Sequence, residues 1–242
     1  MKGLRAVCFD LDDTLRDPIG AREALLRTCD RLGGLTGLDP ADLLASNGEV
    51  WPRLWADVED AWTLGGMTGE AVTTEAWRRT LESCGHESAE TAHQAAAIHL
   101  QEIFSAQRLF DDAMVLLEAI DPGLRLAVIT NGASDTQRAV LRALGIQERF
   151  DAVIVSGEVG VAKPEPRIFQ HALDALGLSP GQAWHVGDTL RVDVAGARAA
   201  GLTAVWLNRD RVTPKALAPE PDIVVNSLVE LLPHLTDVSP SQ

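Results

Sequence analysis

Basic residues are scarce in this 242-residue chain: 21 Lys and Arg stand against 35 Asp and Glu, for a net charge of −14. A surface so short of positive charge suits neither a nucleic-acid backbone nor an anionic membrane, because both bind through basic patches. Neither partner is expected. A small anionic substrate is still compatible, since one lysine, a metal ion and a few backbone N–H groups reverse a local field. Cysteine is sparser still. Cys8, Cys29 and Cys84 are scattered, odd in number and without a CxxC pair. That speaks against a disulfide framework or a structural zinc and fits a reducing compartment. No apolar run approaches the ~18–20 residues of a membrane span. The start, MKGLRAVCFD, lacks the apolar stretch and small-residue cleavage site of a signal peptide. A cytoplasmic protein is expected. Internal repeats and low-complexity segments are missing too, and only the tail DVSPSQ (237–242) reads as disordered.

Against these absences stand six short apolar runs: LRAVCFD (4–10), RLAVITN (125–131), DAVIVSG (151–157), AWHVGD (183–188), TAVWL (203–207) and DIVV (222–225). Their Val and Ile enrichment, and the Gly, Asn or Asp closing several of them, mark strands buried on both faces. From residue 124 they alternate with helical patterns at 134–145, 165–177, 192–200 and 226–235, with Gly145, Gly177 and Gly201 at helix ends. Such alternation predicts a parallel sheet with right-handed crossovers between helical layers. Residues 18–120 carry no convincing strand. Helical spacing replaces it: Leu25, Leu26, Cys29 and Leu32, then Val72, Trp77, Leu81 and Cys84, then Leu100, Ile103 and Phe104. Asp39–Pro40 and Ser88 read as helix starts. About a hundred residues is too long for a simple crossover. The expected fold is α/β: a Rossmann-like parallel-sheet core (1–17 and 109–242) between helical layers, with an all-helical domain inserted at 18–108.

In open parallel sheets, ligands bind beyond the carboxyl ends of the strands. Four polar clusters fall there. Asp10 and Asp12 follow the first strand and Thr130–Asn131–Gly132 the second; Lys163, in GVAKPEP, lies past the third; Asp188 and Asp193, in GDTLRVD, follow the fourth. Crowded carboxylates are unfavourable unless a cation neutralises them, and hard oxygen ligands suit Mg²⁺. A metal and a lysine facing several carboxylates make a site for an anion such as phosphate. One carboxylate can attack phosphorus to give an aspartyl-phosphate. A second, held protonated, can donate a proton to the leaving oxygen and later take one from water. Thr130 and Asn131 can hydrogen-bond the phosphoryl oxygens.

FDLDDTL, ITNG, KPEPRIF and VGDTLRVDVAGARAAG, in this order and at these strand ends, resemble the four motifs of the haloacid dehalogenase-like hydrolase superfamily. The helical insert after the first motif resembles its α-helical cap domain. The resemblance implies Asp10 as nucleophile and Asp12 as general acid/base. It implies Mg²⁺ held by Asp10, the backbone carbonyl of Asp12, and Asp188. Thr130, Asn131 and Lys163 would hold the phosphoryl group, Asp193 would orient Lys163 or a metal-bound water, and Thr14 would brace the loop. Haloacid dehalogenases proper lack an acid two residues after the nucleophile, because a carbon–halogen bond needs no protonated leaving group. Asp12 therefore favours a phosphatase acting on a small phosphorylated metabolite. A phosphomutase shares the motifs and stays open; a dehalogenase, or a receiver-like phosphate-binding module of half this length, fits less well. Substrate identity and oligomeric state have no readable signal.

Outside the motifs the readings are structural. Asp13 is a turn residue, Cys8 a buried strand residue, and His185 a hydrogen-bonded histidine near the site. Trp51, Trp55 and Trp62 form a helical stripe expected in the core of the insert. His93 and His99 lack the i, i+4 spacing of a metal pair and are expected on the surface. Arg16 and Arg191 are secondary candidates for substrate contact.

Overall fold

The structure, a computed structural model, describes residues 3–235; the tail expected to be disordered lies outside them. The chain opens with β1 (Ala6–Phe9) and a two-residue strand β2 (Arg16–Asp17), then enters four helices: α1 (Gly20–Thr36), α2 (Pro40–Thr63), α3 (Gly69–Ser83) and α4 (Ala89–Ser105). It returns through β3 (Arg108–Leu109), antiparallel to β2, and through α5 (Asp111–Ala119). Alternation follows: β4 (Arg125–Thr130), α6 (Ser134–Ala143), β5 (Ala152–Val155), α7 (Ser156–Val159), α8 (Pro166–Leu176), β6 (Ala183–Gly187), α9 (Ala195–Ala199), β7 (Thr203–Leu207) and β8 (Ile223–Val225).

Six strands form one sheet in the order β5–β4–β1–β6–β7–β8, every pair parallel. These are the six apolar runs of the sequence. Every residue of β1 is buried because both sheet faces are covered. Alternation sorts its side chains: Val7 and Phe9 join Leu116, Val140 and Leu141 of α5 and α6, while Ala6 and Cys8 join Phe169, Leu173 and Ala197 of α8 and α9. Burial pushes the Cys8 thiol up to about 12, so it packs as an inert hydrophobe.

The inserted helices have their own apolar centre. Leu32, Leu43, Trp77 and Leu81 pack against Ala92, Ala95, Ala96 and Ile98 of α4. Small residues on α4 let its neighbours approach closely, so alanines, rather than the expected Leu100, Ile103 and Phe104, make its buried face. Phe104 packs instead against the core beneath the sheet. Asp39 and Ser88 cap their helices as expected, accepting from the N–H groups of Ala41 (2.8 Å) and Thr91 (3.1 Å). Two expectations are corrected here, the first in part. Of the tryptophan stripe, Trp55 and Trp62 pack, partly buried, against the cluster of Leu54, Val58, Val72 and Ala76, whereas Trp51 is 37% exposed and only stacks on Trp55. His99 is half-buried and not an open surface residue: from α4 it faces α1, edge-on to Trp77, with Nδ1 3.2 Å from Thr28 Oγ1. His93 is exposed, as expected.

The insertion meets the sheet domain at several points besides the β2–β3 ribbon. Asp135 at the start of α6 accepts from the first N–H groups of α3, those of Gly69 (3.0 Å) and Glu70 (3.2 Å). Ser156 Oγ donates to the carbonyl of Thr63 at 2.5 Å. Trp62 lies over Gly132, where an added Cβ would come within 2.4 Å of its ring.

Candidate active site

The chain lays down β1, β4 and β5 toward one edge, then returns to place β6 on the other side of β1. A crevice opens at such a reversal, at the carboxyl end of the central strand. Register aligns the exits: Phe9 sits beside Val128 of β4 and Val186 of β6, and the Asp10 N–H donates to the Val186 carbonyl at 2.9 Å. Residues more than 170 positions apart thereby leave the sheet together. A cavity of about 180 Å³ there is lined by Asp10, Asp12, Asp13, Thr130, Asn131, Lys163, Asp188, Thr189, Val192 and Asp193. All seven strand-end residues singled out in the sequence are among them; the eighth candidate, Thr14, is not in the lining but bonds Asp10.

Lys163 is the electrostatic centre. Its side chain is buried, and Nζ donates to Asp10 Oδ1 at 2.5 Å and Asp193 Oδ1 at 2.7 Å. Burial alone would strip the proton from this lysine, but the two carboxylates outweigh it and hold the ammonium charged. The carboxylates divide unequally. Burial pushes Asp10 up to about 8, opposed by Lys163 and reinforced by Asp193. Asp193 is buried too, yet Lys163 and His185 hold it well below the usual carboxylate range. Its oxygens are fully committed: His185 Nε2 lies 3.0 Å from Oδ1, and the Thr189 N–H donates to Oδ2 at 3.1 Å. Burial lowers the affinity of His185 for a proton, so the imidazole is neutral and gives its Nε2–H to Asp193. The placement depends on Gly187, where a Cβ would fall 2.3 Å from Asp193 Cγ. It also depends on a π-helical turn, Leu190–Val194, in place of the regular helix expected from 192.

Thr14, fully buried, donates to Asp10 Oδ2 at 3.2 Å. Asp13 takes a left-handed conformation (φ 60°) in the turn that follows, as a turn aspartate can. The Asp12 carboxylate is held at both oxygens, by Arg16 Nη1 (2.5 Å) and Gln137 Nε2 (2.9 Å). Arg16 also donates through Nε to Gln107 Oε1 at 2.6 Å, so it ties Asp12 to the chain returning from the insertion. Asn131 lines the cavity and also makes a contact the sequence did not suggest. Its Oδ1 accepts from the Lys163 N–H (2.8 Å) and its Nδ2 donates to the Lys163 carbonyl (3.0 Å), which clamps the lysine's backbone. Arg191 is exposed and outside the cavity lining.

Asp188 is half-buried, and burial, then Asp193 and Asp13, push it up to about 6. Trp206 Nε1 fixes its backbone carbonyl at 2.8 Å. Carboxylate oxygens of Asp10, Asp188 and Asp193 lie within 4.8 Å of one another. With Asp193 spoken for, Asp10 and Asp188 remain as oxygen donors, both pushed up chiefly by burial and further by neighbouring carboxylates. A hard divalent cation such as Mg²⁺ fits that donor set.

Gln137, His185, Trp206 and Gly187 organise the site without belonging to the residues assigned chemistry in the sequence. Only His185 was foreseeable, from its place on the fourth strand. Gln137 sits in a helix of polar and apolar residues that reads as amphipathic, and nothing in the sequence distinguishes it from a surface glutamine.

Fold and site together define a class: an α/β protein with carboxylates and a lysine gathered at strand ends, and a helical insertion after the first strand. The family model for the haloacid dehalogenase-like hydrolase matches residues 4–201, and the chain belongs to this family. It is 36% identical over 248 residues to a phosphoserine phosphatase of Thermus thermophilus, covering 94% of this chain and 98% of that one. It is 32% identical over 233 residues to the N-acylneuraminate-9-phosphatase of Mus musculus, covering 94% and 92%. Among solved structures, a 2-haloacid dehalogenase from Pseudomonas syringae pv. Tomato DC3000 superimposes with a TM-score of 0.70 at 27% identity, covering 96% of this chain and 97% of that one. Among the described residues, no helix is long and apolar enough to cross a membrane.

Proposed function

We propose that this hydrolase is a Mg²⁺-dependent phosphatase that acts on a small phosphomonoester metabolite through an aspartyl-phosphate on Asp10. The observation that carries the reading is Asp12: a second carboxylate lines the same cavity as Asp10, held at both of its oxygens. Phosphate esters need such a group to protonate the departing alkoxide, whereas carbon–halogen cleavage does not. The fold likeness to a dehalogenase leaves that second reading in view, and Asp12 weighs against it. The full-length relatives with phosphatase names point the same way.

Asp10 Oδ2, braced by Thr14, would attack phosphorus in line with the ester oxygen, breaking that P–O bond and forming one to the carboxylate. Lys163, kept charged by Asp193, and the Thr130 hydroxyl would take up the charge that spreads over the phosphoryl oxygens. Asp12 would give its proton to the leaving oxygen, then take one from the water that hydrolyses the aspartyl-phosphate. Asp10, Asp188 and the backbone carbonyl of Asp12 would hold Mg²⁺, which when bound lets both carboxylates stay ionised and draws charge from the phosphoryl group. Residues 18–108 would act as a cap domain. Trp62, Thr63 and Gly69 already rest on the sheet domain, which would exclude bulk water and restrict substrates to small molecules. The test is phosphate release from a generic aryl phosphate: turnover is expected with Mg²⁺ and none after chelation. Mg²⁺-independent turnover would count against the mechanism, and release of halide from a 2-haloacid would favour the second reading.

A further inference from the structure

Gln137 lies outside all four motifs, yet it is 1% exposed and its amide nitrogen touches three of their residues. Nε2 is 2.9 Å from Asp12 Oδ2, 2.7 Å from Thr130 Oγ1 and 2.9 Å from the Asn131 carbonyl oxygen. A carboxylate and a carbonyl only accept, so the amide must turn its NH₂ toward them; the flipped amide would set oxygen against oxygen. An amide nitrogen cannot accept. Its two hydrogens serve three acceptors, so one N–H is shared, and because the Thr130 hydroxyl cannot donate to the amide nitrogen, its own hydrogen is left for the cavity that Thr130 lines. Asp12 is constrained in the same way. Its Oδ2 is pinned to a buried amide, while Oδ1 meets Arg16, a partly exposed residue on the ribbon leading to the insertion.

We infer that Gln137 is a positioning residue: from one buried amide it aims the Asp12 carboxylate at the leaving group and the Thr130 hydroxyl at the phosphoryl group. The inference rests on the phosphatase reading. Room for it comes from Gly132 (φ +143°), where an added Cβ would lie 3.1 Å from Gln137 Cγ and 2.4 Å from the Trp62 ring. Trp62 of the insertion thus closes over the same glycine that admits the amide.

The test separates positioning from packing by leaving group. Gln137→Met keeps the length of the side chain and removes both donors. With an alkyl phosphate, whose alkoxide needs a proton, the first-turnover rate of ester cleavage should fall by about 10²-fold, as for a misaimed catalytic group. With a nitrophenyl phosphate, whose leaving group needs little protonation, the first-turnover fall should stay under about tenfold, although steady-state turnover of both esters slows because hydrolysis of the aspartyl-phosphate needs Asp12 as base. The half-saturating concentration of either ester in the first turnover should move by less than about threefold, since the interaction acts in the transition state. Gln137→Glu, which replaces donors by an acceptor in the same shape, should show the same split. If Gln137→Met does not fold, Gln137→Asn, with the amide one methylene short, is read in the same way. Equal first-turnover losses with both esters, or no loss with either, overturn the positioning role while an active wild type keeps the phosphatase reading standing. A wild type inactive on every phosphate ester overturns both.

Discussion

Asp10 and Asp193 face one ammonium group, and their surroundings give them opposite states. Asp193 is surrounded by donors and stays ionised; Asp10, with Lys163 and one hydroxyl, is left short of positive charge. In the phosphatase reading, that imbalance would suit Asp10 as the nucleophile beside a metal. It rests on Gly187, since any side chain there collides with Asp193. Gly187→Ala should therefore destabilise the fold by about 1–3 kcal/mol, read as a lowered denaturation midpoint. It should also depress kcat, because a displaced Asp193 no longer fixes Lys163. Unchanged activity would show that the lysine is held by Asp10 alone. At this scale the motif residues were legible because the chemistry demands particular residue types at strand ends. Gln137 was not, because a buried polar residue is recognisable only by the acceptors around it. Asn131 was legible as a site residue while its clamp on the Lys163 backbone was not: an amide just past a strand end can face a ligand or a neighbouring backbone, and only the loop of Lys163 reveals the second.

Elements differ in how plainly they announce themselves. The six strands are buried on both faces, so each is a continuous apolar run with turn residues behind it. The β2–β3 ribbon has two residues per strand, too few to carry any period, although it is where the chain leaves and re-enters the sheet domain. The short α5 (Asp111–Ala119) went unseen for a related reason: nine residues barely complete the turns from which helical spacing is recognised. In the insertion, helix existence was readable and packing was not, because alanines define the close face of α4 and carry little apolar weight. His99 was misjudged in consequence. Burial pulls its affinity for protons down to about 4 from an ordinary 6.5. Since Thr28 Oγ1 already donates to the Ala24 carbonyl, it accepts from His99 Nδ1–H, which suits the neutral ring. The sign follows. Between pH 6.5 and 4 the unfolded chain takes up a proton that the folded protein refuses, so stability is present above pH 6.5 and lost as pH falls through that window. Denaturation of wild type and His99→Gln across pH 4.5–7 should diverge by on the order of 2 kcal/mol. Parallel curves would place the histidine in water.

At the scale of the molecule, one strand order does most of the work: it brings four separate stretches of chain to a single crevice and leaves the insertion seated beside it. A net charge of −14 surrounds the proposed phosphate site, so attraction of an anionic substrate would have to be local, from Lys163 and the proposed Mg²⁺. The central claim is that Asp10 carries the phosphoryl group and Asp12 manages its protons. Mass measurement of intact protein after brief reaction with Mg²⁺ and an activated aryl phosphate tests it most directly. Asp12→Asn should accumulate one added phosphoryl group, because the departing phenolate needs no acid while the hydrolytic water lacks its base. Asp10→Asn should show none. A phosphoryl group found on the Asp10→Asn protein would contradict the assignment.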